Sequence, residues 1–176
     1  FYEENGYVPN AVVEAVMTII NSNYEEWRRS NPDALFTEFK FSADKMSASG
    51  ALFDLEKLNN ISKDIISKMK ASDLCDKSYE WACIYDTDFK ELIDRDKNYY
   101  TSILNIEREQ KKPRKDFAAY NEIKGQIWYM FDELFTDVNY EFGENDLNSV
   151  KEIINKYKEM FDINDDKETW FNKIKD

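Results

Sequence analysis

Apolar side chains recur three and four residues apart through most of this chain, and very little interrupts them. Leu55, Leu58, Ile61, Ile65, Ile66 and Met69 keep that spacing, and so do Ile123, Ile127, Trp128, Phe131 and Leu134. A period of about 3.6 residues puts such positions on one face of an α-helix. Only 4 Gly and 3 Pro occur among the 176 residues, fewer breakers than a many-turned β fold requires. Aromatic residues make up 15%, so the chain has the bulk to bury a core and lacks the composition of a disordered tail. The expected fold is all-α, a right-handed array of short to medium helices. At most a scrap of strand is expected, near Phe41–Ser42 or Tyr140–Phe142.

The punctuation between the apolar runs places the helices. Pro9 suits a first helical position, where its missing N–H is no loss. Val12, Val13, Val16, Met17, Ile19 and Ile20 then form a stripe. Asn23 is expected to cap a short helix through Arg29, and Asp33 another over Ala34–Phe39. Asp54 caps a helix from Leu55 to about Lys70, with Phe53 packed beneath it and a possible kink at Asn59-Asn60. Ser72 is expected to cap Asp73–Tyr85, with Leu74, Trp81, Ala82 and Tyr85 inward. Asp86 or Thr87 caps Asp88–Ile93, and Asp96 caps a helix to about Glu109. Pro113 pushes Lys112 out of the helical region, so Lys111–Lys115 reads as a turn. Phe117–Tyr120 and Asn121–Leu134 follow. Asn145 is expected to cap Asp146–Phe161, with Leu147, Val150, Ile153, Ile154, Tyr157 and Phe161 inward. Asp165 or Asp166 opens a last helix containing Trp170, Phe171 and Ile174. The expected divisions give regions 1–70, 71–143 and 144–176. The last pattern stops without a terminating signal, which suggests a fragment of a longer protein.

Much chemistry is excluded. Without histidine there is no hydrolase triad, and four scattered glycines make no phosphate-cradling loop. The carboxylate pairs Asp86/Asp88 and Asp94/Asp96 read as caps and solvated faces. Asn164-Asp-Asp-Lys167 lacks the spacing of a calcium loop. Cys75 and Cys83 stand about 12 Å apart on a helix at ~1.5 Å per residue, too far for a disulfide, and read as buried thiols. No run reaches membrane-spanning length, which fits a cytoplasmic chain without a membrane partner.

The net charge of −12 argues against nucleic acid. Its distribution argues the other way at one place. Residues 105–131 carry a net +2, and Arg108–Lys115 holds five bases and one acid. Lysines there can neutralise phosphates, and arginine can also read a base edge. Tyr99, Tyr100 and Tyr120 are candidate stacking faces for unpaired bases.

Three stretches carry a resemblance. Ser47, Ser49, Ala51, Phe53, Asp54, Lys57 and Leu58 follow, in order, a segment reading roughly S-K-S-x-A-x-F-D-x-x-K-L. Glu4-Asn-Gly-Tyr-Val-Pro-Asn-Ala-Val12 is similar to a GYLPEA stretch. Asn105–Asp116 followed by Phe131-Asp-Glu-Leu-Phe135 resembles an anticodon-binding region. All three belong to bacterial glutamyl-tRNA synthetases, most closely the clostridial type, and together they span nearly the whole chain. The resemblance implies a stem-contact region, an anticodon-binding helical domain and the start of a further helical subdomain. It implies glutamate tRNA as partner, with Lys45, Ser47, Ser49, Arg108, Lys111, Lys112, Arg114 and Lys115 as tRNA contacts and Arg114 near the last anticodon base. ATP and Mg²⁺ are implied for the catalytic domain of the parent, with no cofactor in this region. Two other readings compete. One is an acidic helical protein-interaction module without RNA binding. The other takes Lys45-Met-Ser-Ala-Ser49 as a degraded KMSKS nucleotide loop, but Ala48 replaces the lysine that would meet the phosphates.

The chain is therefore expected to be inactive as a ligase by itself. A glutamate-dependent ATP–pyrophosphate exchange assay should stay at background, and turnover above background would restore the nucleotide-loop reading.

Overall fold

The computed structural model describes residues 1–46, 52–135 and 140–175. Among these residues there are ten α-helices, three short 3-10 segments and no strand, so the fold is all-α. The helices are α1 Pro9–Ile20, α2 Tyr24–Ser30, α3 Leu55–Lys68, α4 Ala71–Tyr85, α5 Thr87–Arg95, α6 Lys97–Leu104, α7 Asn121–Ile127, α8 Asp132–Phe135, α9 Leu147–Met160 and α10 Lys167–Lys175. They fall into two compact units, Phe1–Asp132 and Glu133–Asp176. The division expected at residues 70 and 71 lies inside the first unit, because hydrogen bonds cross it. Trp81 Nε1 donates to the carbonyls of Glu3 at 3.2 Å and Glu4 at 3.1 Å, and Ser62 Oγ donates to Ala118 O at 2.5 Å.

Aspartates do most of the capping, since a short carboxylate accepts a free N–H of the first turn. Asp54 accepts from Lys57 N at 3.1 Å, Asp86 from Phe89 N at 2.9 Å, Asp96 from Tyr99 N at 2.8 Å and Asp166 from Thr169 N at 2.8 Å. Elsewhere the expected caps move. Helix α4 starts at Ala71 with Lys70 at its cap position, so Ser72 sits inside the first turn. Helix α9 is capped by Asp146, whose carboxylate accepts from Ser149 N at 3.2 Å, while Asn145 instead donates to Phe142 O at 2.8 Å. Asn23 lies in helical conformation and makes no side-chain cap. Asp33 pairs with Lys68 at 2.9 Å, and the segment after it contracts to a 3-10 turn, Phe36–Glu38. Asn59 does not break α3, and its side chain accepts a hydrogen bond from Tyr7 Oη at 2.6 Å.

The first unit has two apolar centres. Helix α1 packs on α3 through Ala11 and Ala15, both buried, with Val12 the one valine of the expected stripe beside them. Val13 and Val16 are 40% and 39% exposed. Alanine lets the two helix backbones approach, and fully buried Leu58 fills the space between them, with Tyr2, Tyr7, Val12, Phe53, Ile61 and Ile65 around it. The second centre gathers α4, α5 and α6 around Leu74, Phe89, Ile93 and Tyr100. Phe89 meets Tyr100 edge to face at 5.6 Å, and the Tyr100 and Ser78 hydroxyls are hydrogen-bonded at 2.8 Å. Cys75 is buried there as expected, but Cys83, also expected buried, is exposed. Tyr85, expected inward, is exposed too.

In the second unit no residue of α9 or α10 is buried. The side chains expected inward on α9, such as Ile153 at 68% exposure, lie open. Trp170 Nε1 donates to Tyr157 Oη at 3.1 Å, and the Tyr157 and Phe161 rings meet at a tilt, 5.7 Å between centroids.

Gly6 joins the start of the chain to residues over a hundred positions later. Its φ is 78°, and its carbonyl accepts from Tyr120 N at 3.0 Å. A Cβ on Gly6 would lie 2.8 Å from Tyr120 Cβ and 2.9 Å from Tyr120 N. Left-handed backbone and close approach both demand glycine here. Gly6→Ala should cost about 1–3 kcal/mol of stability, the range for one strained backbone position. Chemical denaturation checks this, and an unchanged midpoint would contradict the contact.

Candidate nucleic-acid interface

The basic segment is a loop, because α6 ends at Leu104, earlier than the expected Glu109. Asn105 N returns to the carbonyls of Thr101 and Ser102, and Glu107 takes a left-handed φ of 54°. The chain thereby reverses, and Arg114 N reaches Glu107 O at 3.4 Å. Pro113 stands in the turn between them.

Arg108 points inward. Its Nε donates to Leu104 O at 2.7 Å, and its Nη1 donates to Ile66 O at 2.7 Å and Met69 O at 3.4 Å. These carbonyls lie at the C-terminal ends of α6 and α3, where helices leave acceptors unused and carry partial negative charge. Arg108 is only 8% exposed, and burial pushes its pKa below the ordinary arginine value. The expected tRNA contact is thus an internal clamp with Nε and Nη1 already committed. Charge and position in a basic run suggested a surface residue, and no sequence signal distinguished it from its neighbours.

The other expected contacts divide. Arg114 is held by Asp116 at 3.2 Å, with Glu107 at 4.0 Å. It lines a small cleft of ≈ 70 Å³ with Ile106, Asp116, Gln126, Tyr129 and Met130. Lys115 pairs with Asp64 of α3. Lys111 and Lys112 are exposed and make no ion pair with the described residues. Lys45 is exposed in the 3-10 turn Ala43–Lys45, and its carbonyl accepts from Ser22 N at 3.2 Å. Ser47 and Ser49 lie outside the described residues. Of the candidate stacking faces, Tyr100 and Tyr120 are buried in the core and unable to meet a base. Burial raises the Tyr120 phenol to about 12. Tyr99 is exposed, with its hydroxyl donating to Met130 O at 2.7 Å, and Tyr129, which no motif marks, is an exposed aromatic at the Arg114 cleft.

A second, open groove of ≈ 740 Å³ lies between the end of α3 and the loop, lined among others by Lys68, Lys70, Lys111 and Lys115. Lys68 and Lys70 are far from the loop in sequence, so a linear charge count does not join them to it. Among the described residues no group of His, Cys, Asp or Glu is placed to hold a metal ion, and no helix is long and apolar enough to cross a membrane.

By fold and surface this is an acidic all-α protein that concentrates cations on one loop and one groove. Sequence comparison supplies the family. The chain is 43% identical over 180 residues to a glutamate–tRNA ligase of Clostridium perfringens, covering all of this chain and 33% of that protein. It is 42% identical over 175 residues to the glutamate–tRNA ligase of Acetivibrio thermocellus and 32% identical over 177 residues to that of Sorangium cellulosum, covering 99% of this chain each time. The chain is a homologue, over its full length, of bacterial glutamate–tRNA ligases. It spans about a third of the length of these curated relatives. No family model matches the chain, and no solved structure matches it.

Because Arg108 joins two helix ends, its removal should destabilise the first unit. Arg108→Ala is expected to cost about 1.5–3 kcal/mol, the range for hydrogen bonds to a charged group. Arg108→Lys should recover little, since lysine lacks the planar fork that reaches both helix ends. Thermal melts of both variants check this, and a wild-type midpoint for Arg108→Ala would show that the clamp is dispensable.

Proposed function

We propose that this chain is a tRNA-recognition region of a glutamate–tRNA ligase, contacting the anticodon and the inner side of the tRNA, with amino-acid activation carried out by a separate catalytic domain of the same protein. The observation that carries this reading is full-length similarity to glutamate–tRNA ligases, at 43% identity. The loop chemistry supports it. Asp116 orients the Arg114 guanidinium, while Tyr129 and Ile106 beside it are about half exposed. A cleft with an oriented fork and an open aromatic suits an unstacked base. Lys111 and Lys112 offer point charges to phosphates on the same loop. The parent ligase would use ATP and Mg²⁺ and work in the cytoplasm.

Two variants test the proposal. Arg114→Ala should weaken binding of glutamate tRNA by ~1–3 kcal/mol, the range for one bidentate base contact, and affect a non-cognate tRNA less. Lys111→Ala should weaken both tRNAs alike and lower the salt dependence by about one phosphate's worth. Fluorescence titrations at several salt concentrations measure both effects. Equal, sequence-blind losses would reduce the loop to an electrostatic patch. No loss from either would favour an acidic protein-interaction module.

A further inference from the structure

The groove beside the basic loop holds cations that local acids leave unmatched. Lys68 is engaged by Asp33 at 2.9 Å and by Pro32 O at 3.1 Å, and Lys115 is engaged by Asp64. Lys70 and Lys111 line the same groove, are exposed, and have no ion-pair partner among the described residues. Glu109 is the one further carboxylate of the lining. Arg108 also lines the groove, and it too makes no ion pair with the described residues. Its charge faces three backbone carbonyls, with the Asp116 carboxylate close enough to act on it. A buried cation behind exposed lysines strengthens the field in a concave site, because low-dielectric walls focus it.

We infer that this groove seats a backbone phosphate of RNA between Lys70 and Lys111, and that Asp64 competes with that phosphate for Lys115. The inference rests on the tRNA-recognition reading and adds a second contact, made by a residue of the α3–α4 junction. Lysines as separate point charges fit a phosphodiester, which needs charge but no fixed fork geometry. RNA is favoured over an acidic protein segment by what stands on the other side of the loop. Arg108 lines both the cationic groove and the Arg114 cleft, so the two are neighbours sharing one wall. One loop then offers charge for a phosphate and an arginine–tyrosine pair for a base, the two requirements of a single strand. While Lys115 is paired with Asp64, its charge is partly withheld. Removing the carboxylate should release it.

The test is titration of the 176-residue chain with a glutamate tRNA transcript across a salt series, with poly-glutamate as a second acidic probe. Lys70→Ala should weaken RNA binding severalfold at low salt and lower the slope of log K against log salt by about 0.7–0.9, one phosphate's worth. Asp64→Asn should tighten binding severalfold and steepen the slope, and the gain should vanish in Asp64→Asn/Lys115→Ala. Lys77→Ala, an exposed cation elsewhere on α4, should leave the slope unchanged. All these side chains are exposed, and melting curves should match the wild type. If the wild type binds tRNA but Lys70→Ala and Asp64→Asn keep its slope, the phosphate seat is overturned while the tRNA reading stands. If Lys70→Ala reduces poly-glutamate binding and spares RNA, the groove is a protein-docking site and the inference falls. If the wild-type chain binds no RNA, both readings fall together.

Discussion

A buried guanidinium at the junction of two helix ends sets the shape of the cationic surface. Arg108 bonds Leu104 O at the end of α6 and Ile66 O and Met69 O at the end of α3. Helix C-termini leave carbonyls that need donors, and arginine brings several donors in one plane. Because this side chain turns inward, the loop that follows it must reverse, with Glu107 in a left-handed conformation to allow it. The reversal carries Lys111 and Lys112 to the surface and brings Arg114 back against Asp116. The cationic groove and the arginine cleft are the two sides of that one turn.

The helical character of the chain could be read directly, because periodicity and aspartate caps report on local backbone needs. Asp54, Asp86, Asp96 and Asp166 cap where the sequence suggested. What could not be read was which face of a helix meets its neighbour. On α1 the valines looked like the core, yet Ala11 and Ala15 are buried. Hydrophobicity favours the larger side chain, whereas close approach of two helices favours the smaller one. Asn59 looked like a weakness in α3 until Tyr7, distant in sequence, turned out to use it as an acceptor.

The site shows the same limit. A run of basic residues announces positive charge but not its direction. Of five cations between Arg108 and Lys115, one is internal, two are engaged by carboxylates and two stand free toward the described surface. Lys68 and Lys70 belong to the groove through folding alone. Tyr100 and Tyr120 were attractive as stacking faces because tyrosine suits that task, but the same rings fill the core. Family resemblance pointed to the correct homologues because it compares whole stretches, while the role of any one side chain depends on its partners.

The glycine at position 6 also bears on how the protein comes to exist. Its carbonyl waits for Tyr120 N, and the carbonyls of Glu3 and Glu4 wait for the Trp81 indole. During synthesis the segment around Gly6 therefore has no complete set of partners until the segment around residue 120 has followed it. At ~5–20 residues per second, that leaves the N-terminal segment without those partners for several seconds or longer. Helices α4, α5 and α6, joined by short connections, can assemble during that interval, while the bond to the Gly6 carbonyl waits for Tyr120. Part of that segment can be fastened early, through Tyr7 to Asn59, and part only when Tyr120 arrives.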